Sequence, residues 1–377
     1  MQRKIRVLHV YKTFYPMTQG GIQESIRQIC LNTHARGVES RVLTLTPSPV
    51  GHPIRVDDIE VYQAKQLFEL ASCGFSLSAL TQFGQLARWA DVLHYHFPWP
   101  FADLLHFLRR PDKPSVVTYH SDIVRQRHLS KVYAPLMHAF LDATDIIVPT
   151  SPNYTRSSPI LRRFRNKLRV IPLGLNECRY PPPGRACPLP FEDREEFFLF
   201  VGVFRAYKGL HILLEAAQNA SFKVVIAGRG PMEKRLKAQA RRLNLDNVFF
   251  LGHISDEQKI DLMRRCRAVV LPSHLRSEAF GLSLLEGAMQ ARPLICTDLH
   301  TGTSFVNIHE QTGIVVPSGD PEALRAAMDR LWDNPSLARS MGQAARNRFE
   351  THFSGTVMGE QYFDLYSGLA APRAHAG

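Results

Sequence analysis

The chain has 377 residues, 45% of them hydrophobic, with 46 basic and 34 acidic side chains. That length exceeds one ordinary core and implies two domains of roughly 150–200 residues. The apolar share excludes global disorder, and the longest strongly apolar run, near 197–204, is far too short to cross a bilayer.

The N-terminus, MQRKIRVLHVYKTFYP, has basic residues and a short apolar run ending at Lys12. It reads as a buried first strand rather than a signal peptide. Further short β-branched runs follow at 41–45, 91–96, 115–119 and 145–150, then at 197–203, 222–228, 247–252, 268–272 and 293–297. Amphipathic stretches such as GIQESIRQICLNTHARG (21–37) lie between them. Alternating buried strands and helices predict an α/β fold with parallel sheets. The proline-rich stretch YPPPGRACPLPFEDREE (180–196) cannot continue a helix or central strand, and reads as a linker. The expected organisation is therefore a first Rossmann-like domain over 1–185 and a second over 186–355. A C-terminal helix over 356–377 is expected to cross back to the first, ending in a frayed tail. A ligand cleft is expected between the carboxyl ends of the two sets of strands.

Charge is uneven. Up to Arg185 there are 24 Lys and Arg against 13 Asp and Glu, a net +11; the remainder nets +1. Basic clusters at 109–113, 125–131 and 161–169 suit phosphorylated ligands or an anionic membrane surface. No nucleic-acid module accompanies them. The six cysteines are scattered without a C-x-x-C pair, which speaks against a zinc or disulfide framework and suits a reducing cytosol.

The most informative stretch is RSEAFGLSLLEGAMQARPLICT (276–297). Leu282, Leu285 and Met289 have helical spacing. Projected on one helix, Glu286 lies roughly 12 Å beyond Glu278 and about 80° around from it. That is the span from sugar to ribose in a bent sugar nucleotide. Amides near Gly281 would open the helix toward an anionic diphosphate. An isolated acid pair is more often simply solvated, so its neighbours decide the reading. In VGVFRAYKGLHILLEA (201–216), Arg205 and Lys208 occupy a loop where cations can neutralise a diphosphate. AGRGPMEKRL (227–236) places Gly228 and Gly230 in a tight turn, and Glu233 stands where a dinucleotide fingerprint needs its third glycine. The backbone at His253–Ile254 in FLGHISDEQ can pair with a base edge. In the first half, Gly20 and Gly21 open the first long helix and allow close approach of an anion. His94 and His96, and His120 with Asp122, end two strands at the expected cleft. A three-histidine metal site is conceivable from composition, but no metal motif and no D-x-D pair supports it.

VGVFRAYKG, AGRGP and SEAFGLSLLEG, in this order and spacing, resemble the retaining GT-B glycosyltransferases of family four, the glycogen-synthase-like group. YKGLHILLEA, TYHSD and TGTSFVN (301–307) are similar to the bacterial O-antigen mannosyl- and D-rhamnosyltransferases that use GDP-sugars. The resemblance implies that Glu286 binds the donor ribose and Glu278 the donor sugar. Arg205, Lys208 and the amides of Phe280, Gly281 and Leu282 would hold the diphosphate, approached also by Gly20 and Gly21. Gly230 and Ile254 would line the nucleotide site, and His120 would stand near the reacting carbon. His94, His96 and Asp122 would lie toward the acceptor. Val203 departs from the arginine many members carry there, and Arg205 is expected to supply that charge. The implied reaction is transfer of a mannosyl or D-rhamnosyl group, with retention and without a metal or cofactor. The implied acceptor is a polyprenyl-diphosphate-linked saccharide, at the inner face of the cytoplasmic membrane. Alternatives are a UDP-sugar donor with another acceptor, a nucleotide-sugar epimerase, and a non-enzymatic nucleotide-binding module.

Overall fold

The computed structural model describes residues 3–70, 73–123, 127–182, 187–192 and 195–371, and the side chains of 127–131 are not among the described ones. Parts of the expected linker (183–186 and 193–194), residues 125–126 of the basic cluster with the side chains of the rest of it, and the last six residues of the tail lie outside what is described. Contacts divide the chain into two units.

The first unit comprises 1–150, 158–174 and 355–377. Its strands are β1 (Ile5–Val10), β2 (Val38–Thr46), β3 (Ile54–Val56), β4 (Ile59–Lys65), β5 (Phe68–Leu70), β6 (Cys73–Phe75), β7 (Val92–Phe97), β8 (Ser115–Tyr119) and β9 (Ile146–Pro149). Seven form one sheet in the order β3-β4-β2-β1-β7-β8-β9, while β5 and β6 make a separate hairpin. Every pair in the large sheet is parallel except β3 with β4. Strands β7 and β8 are buried at every residue, as parallel strands covered on both faces are.

The C-terminal helix Gly355–Ala370 belongs to this unit and supplies Met358, Tyr362, Leu365 and Tyr366 to its core beside Val7, Val92 and Val116. It lies hard against the helix Gly21–His34, because a Cβ at Gly359 would come within 2.7 Å of the Asn32 carbonyl oxygen.

The second unit comprises 151–157 and 175–354. Its strands are β10 (Phe197–Val201), β11 (Lys223–Ala227), β12 (Val248–Gly252), β13 (Ala268–Leu271), β14 (Leu294–Thr297) and β15 (Gly313–Val316). They form one parallel sheet in the order β12-β11-β10-β13-β14-β15. The order reverses between β10 and β13. In a doubly wound sheet this switch point opens a crevice at the carboxyl ends of the strands.

The contact division falls at Gly174/Leu175 instead of the expected 185/186. Leu175 pairs with Ser354 and donates to the Phe353 carbonyl, and Glu177 holds Arg346. These contacts tie the segment to the second unit before the prolines begin. The short helix Pro152–Ser157 also joins the second unit: Ser157 Oγ donates to the His300 carbonyl (2.6 Å), and Arg276 donates to Ser157 Oγ (3.0 Å). Periodicity cannot reveal such an excursion, which depends on contacts more than a hundred residues away.

Candidate active site

The loops leaving β10, β11 and β13 interlock through glycines. A Cβ at Gly209 would lie 1.8 Å from the Pro272 carbonyl oxygen, and one at Gly228 would lie 2.0 Å from that of Gly202. Gly209 also has a φ of 71°, a left-handed value that favours glycine. Gly230 packs on the Phe204 backbone, with 2.6 Å between a would-be Cβ and its nitrogen. Only bare backbone fits here, so Lys208 is carried directly to the loop that follows β13.

There Lys208 meets Glu278. The ammonium donates to Glu278 Oε2 at 2.5 Å, and Ser273 Oγ donates to the same oxygen at 2.9 Å. Glu278 is 7% exposed. Burial pulls the Lys208 pKa down, but the charge of Glu278 outweighs it and holds the ammonium above its ordinary range. Thr301 Oγ1 donates to the Glu278 carbonyl (2.8 Å) and braces the loop from below.

The expected helical projection of Glu278 fails. The helix begins only at Leu282, capped by Gly281 at φ 90°, and Glu278 sits in the loop before it. The left-handed cap turns the chain, so the eight-residue spacing between the acids is not a helical rise. What the cap does produce is a row of donors. The amides of Phe280, Gly281 and Leu282 find no acceptor among the described residues. They stand at the positive end of an eight-residue helix.

Glu286, on that helix, is held by partners the sequence reading did not name. Its Oε1 accepts from Lys259 Nζ at 2.7 Å and from the Tyr180 hydroxyl at 3.1 Å. Lys259 also pairs with Asp256 (2.9 Å) and lies over the Tyr180 ring. Burial lowers its pKa, and Glu286 followed by Asp256 more than restore it, so it stays above its ordinary range. Lys259, Tyr180 and Ser273 come from three separate segments, and no local spacing marks them as partners of the acids. Arg205 is exposed and has no ion-pair partner among the described residues, with the exposed Val203 beside it. At His253 and Ile254 the backbone makes no backbone hydrogen bond among the described residues, so its polar groups are open to a ligand.

In the first unit, Gly20 caps the helix Gly21–His34 in extended conformation (φ −176°), without a side-chain cap. The amides of Gly21, Ile22 and Gln23 donate no backbone hydrogen bond among the described residues. Asp122 accepts from the Tyr119 hydroxyl (2.8 Å) and Ser158 Oγ (2.7 Å). His120 is 5% exposed, with its amide donating to the Phe97 carbonyl.

The expectation that His94 and His96 face an acceptor is corrected here. His94 is fully buried, with Nδ1 bonded to the Tyr366 hydroxyl and Nε2 to Thr118 Oγ1, both at 2.7 Å. His96 is buried between His9 and His120. Neither ring has a nitrogen left for a substrate. Their strand-end positions were legible, but which residues cap the rings was not, because Tyr366 lies 272 residues further on.

Residues 19–179 match the family described as Glycosyltransferase Family 4, and 188–348 match Glycosyl transferases group 1. The chain is 50% identical over 352 residues to the D-rhamnosyltransferase WbpZ of Pseudomonas aeruginosa, covering 93% of this chain and 92% of the relative. It is 47% identical to the O-antigen chain mannosyltransferase C of Escherichia coli, covering 97% and 99%. Sucrose-phosphate synthase from Thermosynechococcus elongatus shares the fold at 21% identity, with a TM-score of 0.80 and coverage of 97% and 99%. Anabaena HepE in complex with UDP and glucose has a TM-score of 0.74 at 17% identity, covering 97% of this chain and all of that one. The chain belongs to this glycosyltransferase family and has its GT-B fold of two Rossmann-like domains. It is a glycosyltransferase.

Two outcomes test the electrostatics. Burial holds His9 and His120 at a pKa of about 3, and His94 and His96 well below the ordinary 6.5. The unfolded chain therefore binds more protons below pH 6.5. The stabilising contribution is complete above that pH and is lost as pH falls toward 3. Four such rings imply a loss of about 4 kcal/mol between pH 6.5 and 5.5, read as a shift in urea midpoint; a flat profile refutes it.

Second, Lys208→Met leaves Glu278 buried without its cation and is expected to cost about 3 kcal/mol. Adding Glu278→Gln should recover most of that loss in the same unfolding assay. A double variant no more stable than Lys208→Met would show that the two charges are not coupled.

Proposed function

We propose that this glycosyltransferase acts in O-antigen biosynthesis, moving a mannosyl or D-rhamnosyl group from a GDP-sugar to a polyprenyl-diphosphate-linked saccharide. The observation that carries the donor reading is the row of unpartnered amides at Phe280, Gly281 and Leu282 after β13, with Lys208 and Arg205 supplying charge on the loop after the neighbouring β10. The two relatives named above, half-identical over nearly the whole chain, support the choice of sugar and pathway.

In this reading the diphosphate lies on those amides, with Lys208 and Arg205 taking up charge as it departs. Glu286 accepts from the ribose hydroxyls, and Glu278 accepts from a hydroxyl of the donor sugar. The open backbone at Ile254 meets the base, and Gly230 leaves room beside it. Gly20, Gly21 and His120 keep the roles that the family resemblance implies. Retention follows a front-face displacement: the acceptor hydroxyl attacks the anomeric carbon while the departing phosphate oxygen takes its proton. The positive ends and cations make a divalent metal unnecessary.

The nucleotide is the first thing to measure. GDP should raise the melting temperature by mass action, and more than UDP or ADP at equal concentration. Transfer from GDP-mannose or GDP-D-rhamnose should persist in EDTA and give an α-linked product from an α-linked donor, read by proton NMR. A larger shift with UDP would redirect the donor assignment; a β-linked product would end the retaining mechanism.

The acceptor's lipid requires a membrane contact, which the first unit's charge supports. Arg162, Arg163, Arg165 and Arg169 are exposed and form no ion pair with an acid among the described residues. No helix among the described residues is long and apolar enough to span a membrane. Such a cluster adds about 1 kcal/mol per basic residue at an anionic surface. The protein should float with phosphatidylglycerol vesicles at low salt, and Arg162→Glu/Arg163→Glu should weaken flotation. Equal flotation with neutral vesicles would remove this element.

A further inference from the structure

Three histidines of the first unit form a continuous chain of ring contacts. His9 lies on β1, His96 on the neighbouring β7, and His120 directly after β8. His9 Nδ1 is 3.1 Å from His96 Nε2, and His96 Nδ1 is 3.1 Å from His120 Nε2. All three are at least 95% buried. His9, His94 and His96 also bring ring nitrogens within 4.8 Å of one another, a spacing open to a metal ion. Occupancy argues against that use. Both nitrogens of His94 are taken by hydroxyls and both of His96 by imidazoles. Only His9 Nε2 is buried without a partner, so one ligand atom is available, not three.

The chain instead constrains protons. A neutral imidazole has one N–H and one lone pair, and burial keeps these rings neutral. Two hydrogen bonds in series then permit only two arrangements. In the first, His9 Nδ1–H donates to His96 Nε2, and His96 Nδ1–H donates to His120 Nε2. This leaves a bare lone pair on His9 Nε2 and an N–H on His120 Nδ1. In the second, every proton is reversed. His9 Nε2 then carries a buried N–H with no acceptor, and His120 Nδ1 is left as a lone pair. Orphaned buried N–H groups are rarer than under-satisfied acceptors, so the first arrangement wins. The open end also suits it, because His120 Nδ1 makes no hydrogen bond and is not among the fully buried atoms.

We propose that His9 and His96 are positioning residues that lock the proton of His120 on Nδ1, so that His120 offers the donor sugar a fixed, uncharged N–H. This rests on the role proposed for His120 above, whereas the proton arrangement itself does not. The sugar would be recognised through an oxygen that accepts this bond.

Long-range proton–nitrogen correlation NMR on histidine-15N-labelled wild-type protein tests the arrangement without any substrate. The His120 signals are assigned by their disappearance in His120→Gln. The expected pattern is protonated Nδ1 and unprotonated Nε2 at His120; protonated Nε2 overturns the proposal. Copurifying zinc whose chelation shifts the His9 signals would overturn it too. His9→Leu removes the first donor and should lower kcat/KM for the donor sugar about tenfold, the loss of one hydrogen bond. His9→Asn, whose amide can donate from the Nδ1 position, should restore kcat/KM. Equal loss in both variants overturns the relay. If His9→Leu does not fold, the wild-type spectrum still decides. If the spectrum is as expected but no sugar is transferred, the proposed function fails and the proton arrangement stands.

Discussion

The proposed donor site depends on how closely two loops approach at Gly209. The Pro272 carbonyl occupies the space a side chain would need, so the loop after β10 and the loop after β13 touch backbone to backbone. That contact delivers Lys208 to Glu278. The same loop then turns through Gly281 in a left-handed conformation and starts a helix with its first amides unpaired. A larger residue at 209 would separate the cation from the acid and from the amides at once. Glycine therefore acts here by what it omits, and the chemistry is supplied by the neighbours it lets together.

The parts that were legible in the sequence are those whose signals are local. Short β-branched and aromatic runs marked the central strands, because both faces of β7, β8 and β10 are covered. Glycine next to a strand end marked the turns, and Lys208, Glu278 and Glu286 stood out by charge in apolar surroundings. Treating Glu278 as part of the helix was the natural error, since a heptad-like stripe runs through Leu282, Leu285 and Met289. A φ of 90° at Gly281 cannot be read from a glycine alone, and it breaks the projection. Tyr180 and Lys259 were illegible for another reason. They meet Glu286 from segments 106 and 27 residues away, Tyr180 from the chain after residue 174 and Lys259 from the helix Asp256–Arg265.

The histidines show the same limit in the other unit. DVLHYH places His94 and His96 two apart, hence on one face of a strand, and strand ends in such folds line ligand sites. The inference that both rings meet a ligand required that this face be open. At His94 it is closed by the C-terminal helix, whose Tyr362 and Tyr366 hydroxyls satisfy Thr118 and His94, and at His96 by the rings of His9 and His120. A buried polar strand face without partners would be costly. Here Tyr366 of the helix that returns from residue 355 and Thr118 complete the hydrogen bonding of His94, while His9 and His120 take up both nitrogens of His96.

The two acids can stand beside an anionic ligand because each already has its own cation. Glu278 shares its oxygen with Lys208 and Ser273, and Glu286 is tied to Lys259 and Tyr180. An unpaired carboxylate at this depth would repel a diphosphate and would itself be costly to bury. Paired, each acid keeps a second oxygen for a hydroxyl group while contributing little net charge. Lys208 has three donors and spends one on Glu278, leaving the others for an incoming phosphate oxygen. In the proposed donor site, the attraction for the diphosphate would come from Arg205, from the spare donors of Lys208 and from the helix amides. Those amides belong to a rigid backbone and need no rearrangement when charge develops. That proposal separates selectivity for the sugar and the ribose from affinity for the phosphates, so substitutions at Glu286 and at Arg205 should be felt by different parts of the same ligand.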